Sequence, residues 1–218
     1  MAVKKRISGE ERKERIVDAA ENLFAKKGFK GTTTKEVAKA AGISEAVIFR
    51  HFADKSGLYA AIINRCCSDK HGNLKLETRL KGKSGKDAFI AIADYFMEVY
   101  AEDTTFARLL LFSALEKHKF SDMFIESRGL GTLDLISGLI KDGIKKRELR
   151  KIDPELAARA FLGMVLHYCM TQEIFGFKRF FSRPRKKAAE AFAGIFFNGI
   201  SKEKASGSSI FQREVRRD

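Results

Sequence analysis

Apolar residues recur along this chain at helical spacing. Ile16, Ala19, Ala20, Leu23 and Phe24 fall at i, i+3, i+4, i+7 and i+8, the stripe of a helix with one buried face. Gly28 stands where such a helix stops in the left-handed conformation. Over residues 86–101, Phe89, Ile90, Ala93, Phe96, Met97 and Tyr100 form a second, broader stripe. Thr104 or Thr105 is placed to cap a helix through Leu109, Phe112 and Leu115. Another helix is predicted over 131–146, where the basic run 141–147 suits the negative helix C-terminus. Asp153-Pro154-Glu155 reads as an N-cap followed by proline at the first helical position, opening a helix to about Phe175. Pro184 opens the last, to about Lys202. No segment alternates with period two, and no repeat of fixed period occurs, so the predicted fold class is all-α.

The pattern is most specific over residues 31–59. Thr33 and Glu36 have the spacing of a capping box, in which the threonine hydroxyl and the glutamate each answer an unpaired backbone N–H. Gly42 ends the short helix that follows, Ile43 is expected to be buried, and Ser44 caps a second short helix over 45–51. Asp54 is placed to cap a third from Lys55. Small Ala38 lets two helices approach, Gly42 permits the sharp turn, and apolar Ile48 pins the second helix. Those are the needs of a helix-turn-helix, whose second helix enters the major groove.

The neighbouring residues extend the match. Over about 12–62 the chain resembles the DNA-binding domain of the TetR family (TetR/AcrR) of bacterial transcriptional regulators. The resemblance is carried by Ile16-Val-Asp-Ala-Ala-Glu-Asn-Leu-Phe-Ala-Lys-Lys-Gly-Phe, Gly31-Thr-Thr-Thr-Lys-Glu-Val-Ala, Ala41-Gly-Ile-Ser, Phe49-Arg-His-Phe and Lys55-Ser-Gly-Leu-Tyr, in that order. It implies a three-helix DNA head over 1–53, an effector-binding and dimerisation domain over 54–205, and a frayed tail over 206–218. It also implies that Thr34, Ser44, Ala46, Val47, Phe49, Arg50 and His51 lie where family members touch DNA, beside the capping Thr33, and that Lys55 matches a phosphate-binding lysine. The side-chain chemistry agrees. Thr34 offers a hydroxyl and an N–H at a helix N-terminus, Arg50 can pair with guanine O6/N7 or a phosphate, and Val47 can pack on a thymine methyl. There are two departures from the family pattern: Phe49 replaces a tyrosine and loses its phosphate-bonding hydroxyl, and Glu45-Ala46 replaces a small or polar residue plus glycine. Glu45 is expected to face solvent at the helix start, or to accept from a cytosine amino group.

Composition narrows the remaining classes. Lys and Arg outnumber Asp and Glu by 42 to 28, giving a net charge of +14, which favours an anionic partner. The excess is densest at the two ends. Only two prolines occur, and no run reaches the roughly 18 apolar residues of a membrane span. No apolar leader follows the charged start, so a cytoplasmic (bacterial, DNA-associated) protein is expected, with no membrane partner. Three cysteines, Cys66, Cys67 and Cys169, suit no disulfide framework; Cys66 and Cys67 point to different helix faces, and Cys169 is expected to be buried. The four histidines have no ligand spacing, and neither a nucleophile motif nor a phosphate loop is present, so no metal, no cofactor and no enzyme activity are expected.

The aromatic residues of the C-terminal region suit an apolar pocket. Phe96, Tyr100, Leu109, Phe112, Met164, His167 and Tyr168 are its candidate walls, and a small, largely apolar effector is the expected ligand. The resemblance implies a homodimer built from the last two long helices, with Phe161, Val165, Phe192, Ile195 and Phe196 as candidate interface residues. The expected function is a dimeric repressor released from a palindromic double-stranded DNA operator by that effector. A ligand-independent basic DNA-binding protein with a solid core is the alternative, and a small helical enzyme on lipophilic substrates a weaker one.

Overall fold

Ser8 and Glu11 close a capping box that opens α1 (Gly9–Lys27), and Gly28 ends it at φ 75°. Its ψ is 175°, an extended exit and not the left-handed turn the sequence suggests. The computed structural model describes residues 8–68, 71–117 and 120–201. The tail over 206–218 and the side chains of Cys66 and Cys67 lie outside the described residues. α2 (Thr34–Ala41) starts at the Thr33/Glu36 capping box and ends at Gly42, which is left-handed at φ 69°, ψ 35°. α3 (Glu45–His51) follows; Ser44 holds the N-cap position without a side-chain hydrogen bond. Asp54 accepts from the Gly57 N–H (2.7 Å) at the start of α4 (Lys55–Ser68).

The rest of the chain folds as α5 (His71–Leu80), α6 (Gly85–Glu102), α7 (Thr105–Leu115), α8 (Phe120–Phe124), one π-helical turn at Ile125–Gly129, α9 (Leu130–Lys145), α10 (Pro154–Glu173) and α11 (Arg185–Ile200). Asp103, not Thr104 or Thr105, supplies the cap of α7 by accepting from the Thr105 N–H (2.8 Å). Asp153 caps α10 through the N–H groups of Glu155 and Leu156, with Pro154 at the first helical position.

Two apolar clusters organise these helices. The first joins Ile16, Val17, Ala20 and Phe24 of α1, Val37 and Ala38 of α2 and Ile48 of α3. It continues into Leu58, Tyr59 and Ile62 of α4 and Leu109 of α7. A boundary between 53 and 54 would therefore cut through a continuous core. Leu109, expected as a pocket wall, belongs to this head core, because α7 lies along α1.

The second cluster packs α6, α9, α10 and α11 together. At its centre the rings of Phe89, Phe161 and Phe196 stand about their contact distance apart, 5.0 Å for Phe89–Phe161, 5.2 Å for Phe89–Phe196 and 5.0 Å for Phe161–Phe196. Such pairs add about 0.5–1.5 kcal/mol each beyond the area they bury. This packing corrects the expected interface: Phe161, Val165 and Phe196 fill the protomer's own core and are not available to a second copy. Cys169 is buried, as its sequence surroundings suggest, and burial pushes its thiol up to about 12.

Candidate nucleic-acid interface

Ile48 anchors α3 by being fully buried, which turns the opposite side of a seven-residue helix outward. Ala46, Phe49 and Arg50 are exposed there, Phe49 at 49%. Val47 and His51 are half-buried at its flanks. Arg50 has no ion-pair or hydrogen-bond partner among the described residues, so its guanidinium is free to reach a base edge or a phosphate. Ser44 is exposed at the helix start.

Hydrogen bonds fix α3 relative to α2. The Thr34 hydroxyl donates to Glu45 Oε1 at 2.5 Å, tying the first turn of one helix to the first turn of the other. Glu45 is thus a brace across the helix pair, a role that neither reading of the sequence contained. The Thr34 N–H remains at the helix N-terminus, while its hydroxyl proton is already committed. Glu36 accepts from the Thr33 N–H and meets Lys27 Nζ at 2.5 Å, linking the end of α1 to the start of α2. The Lys27 ammonium and the Thr33 bonds hold the Glu36 carboxyl down to about 2.

Lys55 departs from its expected role. Its ammonium donates to the carbonyls of Phe29 (2.9 Å) and Thr32 (3.0 Å) and lies 4.2 Å above the Phe29 ring. Two of its three N–H donors therefore staple the α1–α2 turn to the start of α4, and Lys55 shapes the head from within. From the other side, the Glu116 carboxylate at the end of α7 accepts from the N–H groups of Phe29 (3.0 Å) and Lys30 (3.1 Å). Arg108 Nε donates to the Ala25 carbonyl (2.8 Å) at the C-terminal end of α1. Arg65 of α4 gathers Glu14, Asp18 and Glu21 along α1. Sequence reasoning missed Glu116, Arg108 and Arg65: their partners lie 44 to 87 residues away, and no local motif marks them.

Comparison with known proteins decides what this head is. The description "Bacterial regulatory proteins, tetR family" matches residues 16–62, and "AefR-like transcriptional repressor, C-terminal domain" matches residues 88–198, half of the chain by itself. The chain belongs to the TetR family. Among TetR-type relatives, it is 29% identical over 189 residues to the HTH-type transcriptional regulator YvkB of Bacillus subtilis, covering 86% of this chain and 96% of that one. It is 34% identical over 76 residues to the biofilm operon negative regulator IcaR of Staphylococcus aureus, covering 35% of this chain and 40% of IcaR. In fold it resembles the regulator FadR of Bacillus subtilis in complex with stearoyl-CoA, at TM-score 0.68 and 19% identity over 86% of this chain and 98% of FadR. It also resembles a transcriptional regulator from Saccharomonospora viridis in complex with choline, at TM-score 0.70 and 17% identity over 89% of this chain and all of the other. The TetR family is one of transcriptional regulators, not of enzymes.

Among the described residues, the seven side chains expected to wall a TetR-type effector pocket are spread over the head core, the end of α1, the body core, one cleft and the exposed side of α10. Leu109 lies in the head core, and Phe112 reaches toward Gly28 at the end of α1. Phe96 stands edge-on to Tyr95, 5.3 Å between ring centroids, and with Met164 packs against the body core. Tyr100 also packs there, and burial pushes its phenol up to about 12. His167 is exposed on α10. Tyr168 packs at a tilt against Phe192 (5.0 Å between centroids) and lines a cleft between α6, α10 and the 174–184 connection.

Proposed function

We propose that this TetR-family protein acts as a homodimeric repressor that binds a palindromic operator through α3 and leaves it when a small effector occupies the C-terminal domain. The observation that carries this reading is α3 itself: held inward by Ile48 and braced by Thr34–Glu45, it presents Ala46, Phe49 and an unpaired Arg50 to solvent. A two-fold dimer would set two such helices in successive major grooves, about 34–36 Å apart. In the bacterial cytoplasm such a protein blocks a promoter by occupying it. No helix among the described residues is long and apolar enough to cross a membrane.

Exposure supports a dimer face on α10 and α11. On α10, Leu156, Ala160, Gly163 and His167 form an outward stripe, Leu156 at 67% exposure. On α11, Ala191 and Ile195 continue it, Ile195 at 69%, beside half-buried Phe192. Small residues between exposed apolar ones let two helix pairs approach closely across an axis.

The relatives crystallised with stearoyl-CoA and with choline hold an acyl thioester and a cation on one fold, so the effector must be read from this chain's own side chains. The test is a binding-site selection with random DNA followed by Arg50→Ala. We expect a palindromic site, steep salt dependence, and a loss of about 1–3 kcal/mol in the variant with relaxed preference at one base pair. A Thr34, Arg50, Phe49 triple alanine variant that kept full affinity and selectivity would overturn the assignment of α3.

A further inference from the structure

The connection between α10 and α11 folds back to make a cleft of about 240 Å³ with the last turns of α6 and α10. Met97 and Ala101 form one wall, and Tyr168 and Gln172 the other. Gln172 is only 6% exposed, yet its side-chain amide makes no hydrogen bond among the described residues. Its amide atoms are not sealed off from solvent, so the amide opens onto the cleft that it lines. No group among the described residues of α6 or α10 bonds it, so the amide is available to whatever fills the cleft.

The charges at the mouth single out one sign. Glu173 and Lys178 neutralise each other at 2.6 Å. Arg185 is held by Asp94 (2.8 Å) and Glu98 (3.0 Å) of α6. Arg183 remains: it donates to the Ser182 carbonyl (3.0 Å) and lies 4.6 Å above the Phe181 ring, with no carboxylate partner among the described residues. The cleft therefore has an apolar floor, one unpaired amide, one phenol and one uncompensated guanidinium. Its volume lies below the roughly 300–1,000 Å³ of drug-sized sites, enough for one ring and a short arm. A larger groove of about 720 Å³ lies between α5, α6 and the start of α11, but Arg79, Lys83 and Lys186 face Asp87, Asp94 and Glu190 there, which leaves no net sign to select a ligand.

We propose that this cleft binds a small apolar monocarboxylate, with the acid on Arg183, the body against Met97, Ala101 and Tyr168, and a polar substituent within reach of Gln172. Under the regulator reading, this names the class of its effector. The ligand would bridge the end of α6 to α10, two residues before α7, whose Glu116 and Arg108 grip the α1–α2 turn of the DNA head.

The probes are phenylacetate, its neutral isostere 2-phenylethanol and the cation phenethylamine, titrated calorimetrically into the full-length protein, with operator binding followed in the same samples. Phenylacetate should bind at least ten-fold more tightly than 2-phenylethanol, and phenethylamine should bind weakest. Arg183→Gln should remove the preference of acid over alcohol while leaving the melting temperature unchanged. Ala101→Trp should fill the cleft and abolish binding of all three. Equal affinity for acid and alcohol, an undiminished preference in Arg183→Gln, or no phenylacetate binding would overturn the proposal. Release of the operator by other compounds with the cleft still empty would also overturn it and leave the regulator reading standing. Phenylacetate binding without any specific operator binding would do the reverse.

Discussion

Glu36 accepts from both the N–H (2.9 Å) and the hydroxyl (3.0 Å) of Thr33 while it meets the Lys27 ammonium. Those three contacts all favour the charged carboxylate, so its folded value, about 2, lies below the ordinary 4.5. A group depressed on folding stabilises the fold above its unfolded value, and that contribution is lost as pH falls from about 4.5 toward 2. Because the carboxylate is exposed, salt screens part of the effect. In calorimetric melts from pH 6 to 2.5 the wild-type melting temperature should therefore fall more steeply than that of Glu36→Gln, and the difference should shrink at high salt. Parallel profiles at low salt would show that Glu36 contributes nothing through its charge. Lys55 shows the limit of reading single residues from a family pattern. Its place in the chain suggests a phosphate contact, but whether its ammonium points outward is decided by the carbonyls of Phe29 and Thr32, which the fold brings beneath it.

At the scale of elements, α7 works as a clasp on α1. Leu109 enters the head core, Arg108 takes the Ala25 carbonyl in the last turn of α1, and Glu116 takes the N–H groups just beyond that helix. The approach requires a glycine: at Gly28 an added Cβ would stand 2.5 Å from Glu116 Oε1 and 2.9 Å from Phe112 Cδ1, at φ +75°. Gly28→Ala should accordingly lose about 1–3 kcal/mol in urea unfolding and weaken operator binding. Gly138→Ala, in the middle of α9 with open space at the Cβ position, should gain about 0.5–1 kcal/mol. Equal effects of the two substitutions would remove the clasp from the account. The caps of α2 and α10 were legible because each is a contact within three residues. α5 was not, since Leu74, Leu76 and Leu80 are too few apolar positions in ten to mark a helix that depends on packing against α6.

At the scale of the whole molecule, α4 and α7 send their buried residues into the head core, and the C-terminal core keeps its largest rings for itself. Phe196 therefore tests folding, and Ile195 tests assembly. Ile195→Glu should give a monomer by sedimentation at micromolar concentration, with near-wild-type unfolding of the protomer and loss of tight operator binding, because one head reads only half a palindrome. Phe196→Glu, buried against Phe89 and Phe161, should fail to fold. A dimeric Ile195→Glu protein would place the two-fold contact elsewhere on the surface.

The helical period, the capping residues and the order of motifs over residues 12–62 by themselves determined an all-helical chain with a helix-turn-helix head, since each rests on contacts between residues near in sequence. Which face of α10 and α11 turns outward was not determined that way. Phe161 and Ile195 are equally apolar as letters, and only the crossing of α6 over both helices buries the first and exposes the second. The same holds for Glu116, Lys55 and Gln172. Each is polar, and whether it clasps a backbone, staples a turn or waits in a cleft depends on groups that only the tertiary structure brings within hydrogen-bond reach.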